Sequence, residues 1–290
     1  MDGYASSERA QELNLSCLCI PTDGIFPLSA FEGSRWLPPT RRSGSGLNII
    51  CFPPAGAGAG FFRDWSSKLP RNTIIPVQLP GREERYVEPL VDNASDLSKA
   101  ISEAIQIEAL GSFILLGYSF GALLAFETAR LLETSPNGCR VLGIVSCARA
   151  APQRSPLETA ADKSDEDLLQ YVRQLGGLPP ELDAEPEFLK ILLPILRADL
   201  RANDAYAASK TSTVNVPIAS VIGCEDPATQ GSRASDWAKY TVSKYRLFSA
   251  PGGHFFINGP ASEEYRFRVI SRAIDFIASQ NWNDCEEEKA

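Results

Sequence analysis

Short apolar runs rich in β-branched residues alternate along the chain with longer segments of helical spacing. Six runs have the length and composition of buried strands, and they cover residues 47–52, 73–78, 112–116, 141–147, 216–222 and 245–248. Pro76 lacks a backbone N–H donor, which places the second strand at an edge of its sheet. Nearly all-apolar strands that alternate with helices predict an α/β fold with a mostly parallel central sheet flanked by helices.

Three segments between these strands have the spacing of amphipathic or buried helices. Apolar residues at 97, 101, 104 and 105 predict a helix over 93–109, capped by Asp92 or Asn93. A second helix, rich in Ala and Leu, is predicted over 120–133, and a last amphipathic helix over about 263–279. Strand and helix therefore alternate over most of the chain.

The segment of about 152–210 breaks this alternation because it contains only helical patterns, among them SDEDLLQYVRQLGG and EFLKILLPILRADLRANDAY. Ser164, with Asp167 three residues later, has the spacing of a helix N-cap. A helical insertion of this size at a sheet edge is a candidate lid over a substrate pocket. The alternative is an ordinary crossover with an extra helix pair, and we favour the lid.

The predicted boundaries divide the chain into a core domain and two flanking segments. Residues 1–46 form an N-terminal extension that ends in RRSGSG, and it is an ordered extension, a linker from a neighbouring module or a disordered segment. Residues 47–280 form the domain, and 281–290 an acidic C-terminal tail.

Composition and charge exclude several classes of partner. The chain has 28 Lys and Arg against 36 Asp and Glu, a net charge of -8, and no basic stripe for nucleic acid. No apolar run approaches the about 18 residues of a membrane span, and the N-terminus lacks the features of a secretory signal. The 7 scattered cysteines fit reduced thiols and a cytoplasmic location. Cys17-x-Cys19 has no second ligand pair, so no metal site is expected.

The sequence Gly117-Tyr118-Ser119-Phe120-Gly121 lies between a predicted strand and a predicted helix. A reactive serine at such a sharp turn needs neighbours with minimal side chains, which Gly117 and Gly121 supply. A helix N-terminus also favours negative charge on the serine. A glycine-lined turn with a capping serine is the structural alternative. The placement after a strand favours a nucleophile elbow.

A serine hydroxyl becomes a nucleophile when a base takes its proton, and imidazole is the usual base near neutral pH. His254 is the only histidine in the sequence, in a glycine-rich loop between the last predicted strand and the last helix. An orienting acid is expected between serine and histidine in the chain. Asp226, at the end of the fifth predicted strand, is our choice; Glu225 is the nearest rival and Asp236 a weaker one.

Acyl transfer also requires hydrogen-bond donors for an oxyanion. The loop PPAGAGAG, residues 53–60, follows the first core strand, and its small residues let backbone N–H groups approach a reacting carbonyl. The expected donors are the N–H of Phe120 and that of Ala55 or Gly56. The loop matches neither the phosphate-binding nor the dinucleotide-binding glycine pattern.

Five stretches in this order closely resemble the type II thioesterases of polyketide and non-ribosomal peptide synthetase clusters: FPPAGAGAGFFRDW, VQLPGREERY, LLGYSFGALLAFETAR, LLPILRADLRANDAY and APGGHFFI. The resemblance covers about residues 47–280. It implies an α/β-hydrolase fold with a helical lid, and a triad of Ser119, Asp226 and His254. It also implies oxyanion N–H groups at Ala55 and Phe120.

The implied activity is hydrolysis of stalled or mis-primed acyl or aminoacyl groups from the phosphopantetheine arm of a carrier protein. The partner is therefore an acyl or peptidyl carrier domain, the enzyme needs no cofactor of its own, and we expect a monomer. Arg82 and Arg85 are candidates for a basic docking patch or, alternatively, for local ion pairs. Pro54 and Phe120 depart from the residues common in relatives and can reshape the pocket mouth.

Two other functions use the same residues. The first is a free-standing carboxylesterase or lipase-like enzyme that acts on oxygen esters. The second is a non-catalytic protein of this fold that binds a carrier domain or an acyl chain. The intact set of Ser119, His254 and the acidic loop argues against the second.

Overall fold

A computed structural model describes residues 35–38, 46–108, 110–135, 139–152, 160–206, 212–230, 233–259 and 261–287. Most of the predicted N-terminal extension lies outside the described residues. The same is true of 153–159 and 207–210 in the helical insertion, and of the last three residues of the predicted C-terminal tail.

Six strands form one parallel sheet in the order β2-β1-β3-β4-β5-β6. Their bounds are β1 Asn48–Phe52, β2 Thr73–Pro76, β3 Ser112–Tyr118, β4 Arg140–Cys147, β5 Ile218–Gly223 and β6 Tyr245–Ala250. All six predicted strands are therefore present, with ends that differ by a few residues. Strand β2, which contains Pro76, is an edge strand as predicted.

Seven α-helices accompany the sheet in the described residues: α1 Trp65–Lys68, α2 Ala94–Ile107, α3 Phe120–Glu133, α4 Asp165–Gln174, α5 Pro180–Asp183, α6 Pro186–Ala205 and α7 Glu263–Glu287. Asn93 caps α2, since its side chain accepts hydrogen bonds from the N–H groups of Ser95 and Asp96. Ser164 caps α4 by accepting from Asp167 N–H.

Helix α7 continues eight residues beyond its predicted end near Ser279 and reaches Glu287, inside the segment predicted to be a tail. The side chain of Asn281 donates to the carbonyl of Leu142 at 2.8 Å, which ties this part of the helix to strand β4. Sequence periodicity gives no sign of this contact.

Two hydrophobic cores lie on opposite faces of the sheet, because successive strand side chains point to opposite faces. Ile50 and Phe52 of β1 pack into the core with α2 and α3. Ile49 and Cys51 pack into the other core with α1 and α7. This confirms the prediction of a mostly parallel sheet covered by helices.

The helical insertion consists of α4, α5 and α6, between β4 and β5, and it has a small core of its own around Leu168, Leu169 and Leu196. The loops after β1, β3, β5 and β6 meet at the carboxyl end of the sheet, which we call the strand-end edge. Side chains of the insertion and of the strand-end edge line one shared cavity. Among the described residues, no helix has the length and apolar character needed to cross a bilayer.

Candidate active site

Ser119 lies at a tight turn where strand β3 ends and helix α3 begins. Its backbone has φ 51° and ψ −115°, a left-handed conformation that is strained for a residue other than glycine. A Cβ on Gly117 would lie 2.2 Å from the carbonyl oxygen of Gly121, and a Cβ on Gly121 would lie 2.1 Å from that of Phe52. Both glycines are therefore required by close backbone approach, as the elbow interpretation predicted.

The side chains of Ser119, His254 and Asp226 form a continuous hydrogen-bonded line. Nε2 of His254 lies 2.8 Å from Oγ of Ser119, and Nδ1 of His254 lies 3.0 Å from Oδ2 of Asp226. Asp226 is completely buried and His254 is 7% exposed. Such an arrangement holds one imidazole nitrogen on the acid and directs the other at the hydroxyl.

Of the three candidate acids, the structure brings Asp226 to His254. Oδ1 of Asp226 also accepts the N–H of Ala228 at 2.9 Å, which turns Oδ2 toward the imidazole. Glu225 is exposed, and Asp236 pairs with Lys239 in a 3-10 helix, residues 235–240. Asp226 thus both caps the turn that follows β5 and contacts the histidine.

Tyr118, the first of the two variable residues of the Gly-x-Ser-x-Gly turn, holds the histidine loop in place. Its hydroxyl donates to the backbone carbonyl of His254 at 2.7 Å, and its ring stacks on Phe255 with centroids 5.6 Å apart. Burial, followed by the nearby Cys147 thiol, raises the pKa of Tyr118 well above its usual value, so its hydroxyl stays a donor. This role was not predicted from the sequence, because only the glycines and the serine of the motif have a known requirement.

The loop after β1 is held by hydrogen bonds to most of its amides. Gly56 N–H donates to Oδ2 of Asp199 at 2.8 Å, Ala59 N–H to Oε1 of Gln78 at 3.1 Å, and Gly60 N–H to the carboxylate of Glu83. The N–H of Gly56 is therefore already hydrogen-bonded. Of the two residues predicted as alternatives for the second oxyanion donor, Ala55 is left.

The N–H groups of Ala55 and Phe120 have no acceptor among the described residues. Both residues line the cavity that contains the hydroxyl of Ser119. Two unengaged amides in one cavity with a serine hydroxyl can receive the oxygen of a carbonyl group that the serine attacks.

Arg82 and Arg85 are buried and form ion pairs inside the protein. Both terminal nitrogens of Arg82 donate to the carboxylate of Asp199, at 2.5 and 2.9 Å. Arg85 donates to Glu88 and lies over the ring of Trp36, with its guanidinium carbon 4.1 Å from the ring centroid. The ion-pair interpretation is therefore correct, and neither guanidinium forms a docking patch.

The cavity has a volume of about 640 Å³ and is open to solvent. Ser119 and His254 line it together with mostly apolar side chains, including Phe61, Leu178, Phe188, Leu192, Leu196 and Phe255. Phe256 is fully buried in the core, so of the two phenylalanines beside His254 only Phe255 reaches the cavity. Pro54 and Phe120, the two departures from the family pattern, also line it.

The cavity is also lined by polar side chains from the strand-end edge and the insertion. Nη1 of Arg149 donates to the side-chain oxygen of Asn203 at 2.6 Å, and Tyr171 lines the cavity with them. Burial lowers the pKa of Arg149 to about 10, which still leaves its guanidinium charged at neutral pH.

Comparisons with known proteins agree with this geometry. A model of the thioesterase domain family matches residues 48–274. The thioesterase PikA5 of Streptomyces venezuelae is 31% identical over 216 residues, which cover 74% of this chain and 76% of that protein.

Two solved structures are similar over nearly their whole length. RedJ, a thioesterase from the prodiginine pathway of Streptomyces coelicolor, superposes with a TM-score of 0.73 at 29% identity, covering 83% of this chain and 98% of RedJ. BorB, a type II thioesterase from the borrelidin biosynthetic cluster, also has a TM-score of 0.73, at 28% identity, covering 84% and 98%. These matches confirm the resemblance seen in the sequence: the chain belongs to the thioesterase family, whose members are hydrolases.

Proposed function

We propose that this protein hydrolyses acyl or aminoacyl thioesters from the phosphopantetheine arm of a carrier domain, with Ser119 as nucleophile. The observation that carries the proposal is the line from Ser119 through His254 to Asp226, set in a largely apolar cavity of about 640 Å³. Membership of the thioesterase family supports the thioester, and similarity to RedJ of the prodiginine pathway and BorB of the borrelidin cluster supports the carrier domain as substrate.

Acylation starts with proton transfer from Oγ of Ser119 to Nε2 of His254 while the serine oxygen attacks the thioester carbonyl carbon. The buried carboxylate of Asp226 stabilises the imidazolium that forms. The carbonyl oxygen becomes an oxyanion and accepts hydrogen bonds from the N–H groups of Ala55 and Phe120. When the tetrahedral intermediate collapses, the C–S bond breaks and His254 returns the proton to the leaving thiol.

Deacylation repeats these steps with water. His254 takes a proton from a water molecule, whose oxygen attacks the acyl-serine carbonyl, and then gives it to Oγ of Ser119 as the acid departs. The chemistry requires a nucleophile, a base and oxyanion donors, all of which this chain supplies, so we propose that it needs no cofactor and acts as a monomer. We propose a cytoplasmic location, which the free thiols of Cys51, Cys139, Cys147 and Cys224 fit.

Carrier docking on this enzyme rests on its shape and apolar rim. Arg82 and Arg85 are engaged inside the protein, whereas Tyr86, Leu182 and Ile191 are exposed and line the cavity. An apolar rim suits entry of a long pantetheine arm, and a largely apolar cavity suits loose recognition of the acyl group.

The test is hydrolysis of acyl groups from a carrier domain by the wild type and by Ser119→Ala. We expect the substitution to lower kcat by about 10⁴-fold or more, because nucleophile and base act as a unit. Ser220→Ala, which removes a buried hydroxyl of β5, is the control and should leave turnover nearly unchanged. Equal turnover by wild type and Ser119→Ala contradicts the nucleophile assignment. A strong preference for small oxygen esters over carrier thioesters supports the esterase instead.

A further inference from the structure

A buried ion pair joins the helical insertion to the strand-end edge. Asp199 lies on helix α6 and has no exposed surface, and Arg82, from the loop that follows β2, is 5% exposed. Charged side chains rarely occupy such positions unless they are paired and fully hydrogen-bonded. Removing two charges from water costs free energy, and apolar side chains could fill the same space without that cost. The pair therefore suggests a role beyond packing.

The carboxylate of Asp199 accepts three hydrogen bonds. Oδ1 accepts from Nη2 of Arg82 at 2.9 Å, while Oδ2 accepts from Nη1 of Arg82 and, at 2.8 Å, from the N–H of Gly56. Arg82 also donates to the carbonyl of Ala57 at 3.3 Å. Helix α6, the loop after β2 and the loop after β1 are therefore tied together at one carboxylate.

Gly56 follows Ala55 directly, so the peptide that Asp199 contacts is next to the N–H proposed as an oxyanion donor. Gly56 has φ +81°, and a Cβ there would lie 2.7 Å from a methyl carbon of Leu196, also on α6. The backbone next to the Ala55 N–H is thus a turn that needs glycine and that α6 holds from one side. An error of even about 1 Å in such a donor is costly to catalysis.

We propose that Asp199 is a positioning residue: through Arg82 and the N–H of Gly56 it holds the Ala55 N–H in the direction that the oxyanion requires. The position of α6 and the geometry of the oxyanion hole are consequently coupled through one carboxylate. This inference rests on the proposed function, since it assigns a role within that reaction.

Asp199→Asn is the direct test, because it keeps the shape of the side chain but replaces one oxygen by an NH₂ group. The new NH₂ group is a donor and cannot accept a hydrogen bond. In one orientation it faces Nη2 of Arg82, and in the other it faces Nη1 of Arg82 and the N–H of Gly56, so donor meets donor in both cases. The matched control is Glu127→Gln. Glu127 is a buried carboxylate of α3 that accepts from Tyr206, just after α6, so it anchors the C-terminus of the same helix without contacting the loop after β1.

The measurements are kcat and KM with an acyl-pantetheine thioester, and the Ki of an alkyl trifluoromethyl ketone that forms a tetrahedral oxyanion adduct with Ser119. We expect Asp199→Asn to lower kcat by about tenfold to a hundredfold, less than the loss of an oxyanion donor itself. KM should change by less than about threefold, and the Ki should rise by the same factor by which kcat/KM falls, as for a residue that acts on the transition state. Glu127→Gln should leave kcat/KM and the Ki near their wild-type values.

The ketone separates positioning from a merely structural role, because partial unfolding lowers kcat but leaves the Ki of the folded fraction unchanged. A Ki that stays at its wild-type value while kcat falls, or equal changes in Asp199→Asn and Glu127→Gln, overturns the inference. If Asp199→Asn does not fold, Arg82→Lys replaces it. Lysine keeps the charge but loses the second hydrogen bond, and the Ki and kcat/KM should again change by one common factor.

Failure of this inference is distinguishable from failure of the proposed function. If Ser119→Ala removes activity and Asp199→Asn behaves like Glu127→Gln, the triad reaction stands and only the positioning role is wrong. If Ser119→Ala keeps full activity, the proposed function itself is wrong.

Discussion

The strand-end edge and the helical insertion line the same cavity but are held by different kinds of contact. At the strand-end edge, backbone segments pack directly against each other, since a Cβ on Gly117, Gly121 or Gly223 would lie 2.1 to 2.2 Å from a carbonyl oxygen. The insertion is held by its own leucine core and by side-chain pairs such as Arg82 with Asp199.

This difference separates what is fixed for chemistry from what is adaptable for substrates. Close backbone contacts hold the elbow and the histidine loop in a single conformation. A reaction that depends on hydrogen-bond geometry requires such rigidity. Apolar helix faces tolerate changes of side-chain size when volume is roughly kept. We therefore expect substitutions at the edge to change kcat for all substrates, and substitutions in the insertion to change the ranking of substrates.

The largest effect is expected at the acid of the edge. Asp226→Asn should lower kcat by about 10³- to 10⁴-fold, because the amide favours the wrong imidazole tautomer and provides no negative charge for the imidazolium. Steady-state hydrolysis of an acyl-pantetheine thioester measures this. Glu225→Gln, which changes the exposed neighbouring acid, is the control and should remain within about twofold of wild type. A larger loss in Glu225→Gln than in Asp226→Asn would reverse the assignment.

An intermediate effect is expected in the insertion. Leu192→Trp places a larger side chain in the cavity and should lower kcat/KM for a twelve-carbon acyl group about tenfold more than for an acetyl group. Lys190→Trp adds the same side chain to the exposed face of the same helix and should leave the ratio unchanged. Competition between the two acyl substrates in one reaction measures the ratio directly. An equal loss for both acyl groups would mean that the insertion acts on the chemistry and not on selection.

The smallest effect is expected from Tyr118→Phe, which removes the hydroxyl that holds the backbone of His254. Loss of one hydrogen bond of about 1 kcal/mol should lower kcat by about threefold to tenfold and slightly reduce thermal stability. Tyr245→Phe is the matched control, since its hydroxyl also donates to a backbone carbonyl, that of Ala234 at 2.8 Å, away from the cavity. Similar stability losses with a kcat change in Tyr118→Phe alone would show that the Tyr118 hydroxyl supports the histidine loop and not only the fold. No kcat change in either variant would show that the histidine loop needs no such support.

Sequence alone predicted the parts of the molecule that are governed by local rules. Strand positions followed from apolar runs, the edge position of β2 from Pro76, and the glycines of the elbow from the space a strand-to-helix turn leaves. A single histidine left His254 as the one candidate base, and the structure brings it to Ser119.

Contacts between distant residues were beyond the same reasoning. Asp199 is 143 positions from Gly56 and 117 from Arg82, and no local pattern says which of the many acids meets which amide. The choice between Ala55 and Gly56, and between docking and ion pairing for Arg82, depended on that one contact. The stretch LLPILRADLRANDAY, which contains Asp199, contributed to the family resemblance. That resemblance does not indicate which residues Asp199 contacts.

The central claim is that Ser119 carries the acyl group during turnover. Intact-mass spectrometry of Asp226→Asn, mixed with an excess of an acyl-carrier thioester and quenched at times from seconds to hours, tests it most directly. A thiolate leaves more readily than the alkoxide of Ser119, so the substitution should slow deacylation more than acylation and let the intermediate accumulate. We expect a mass increase of one acyl group, located by peptide mapping on Ser119 and missing in the double variant with Ser119→Ala. An acyl group on the exposed thiol of Cys224, or turnover with no adduct on Ser119, would contradict it.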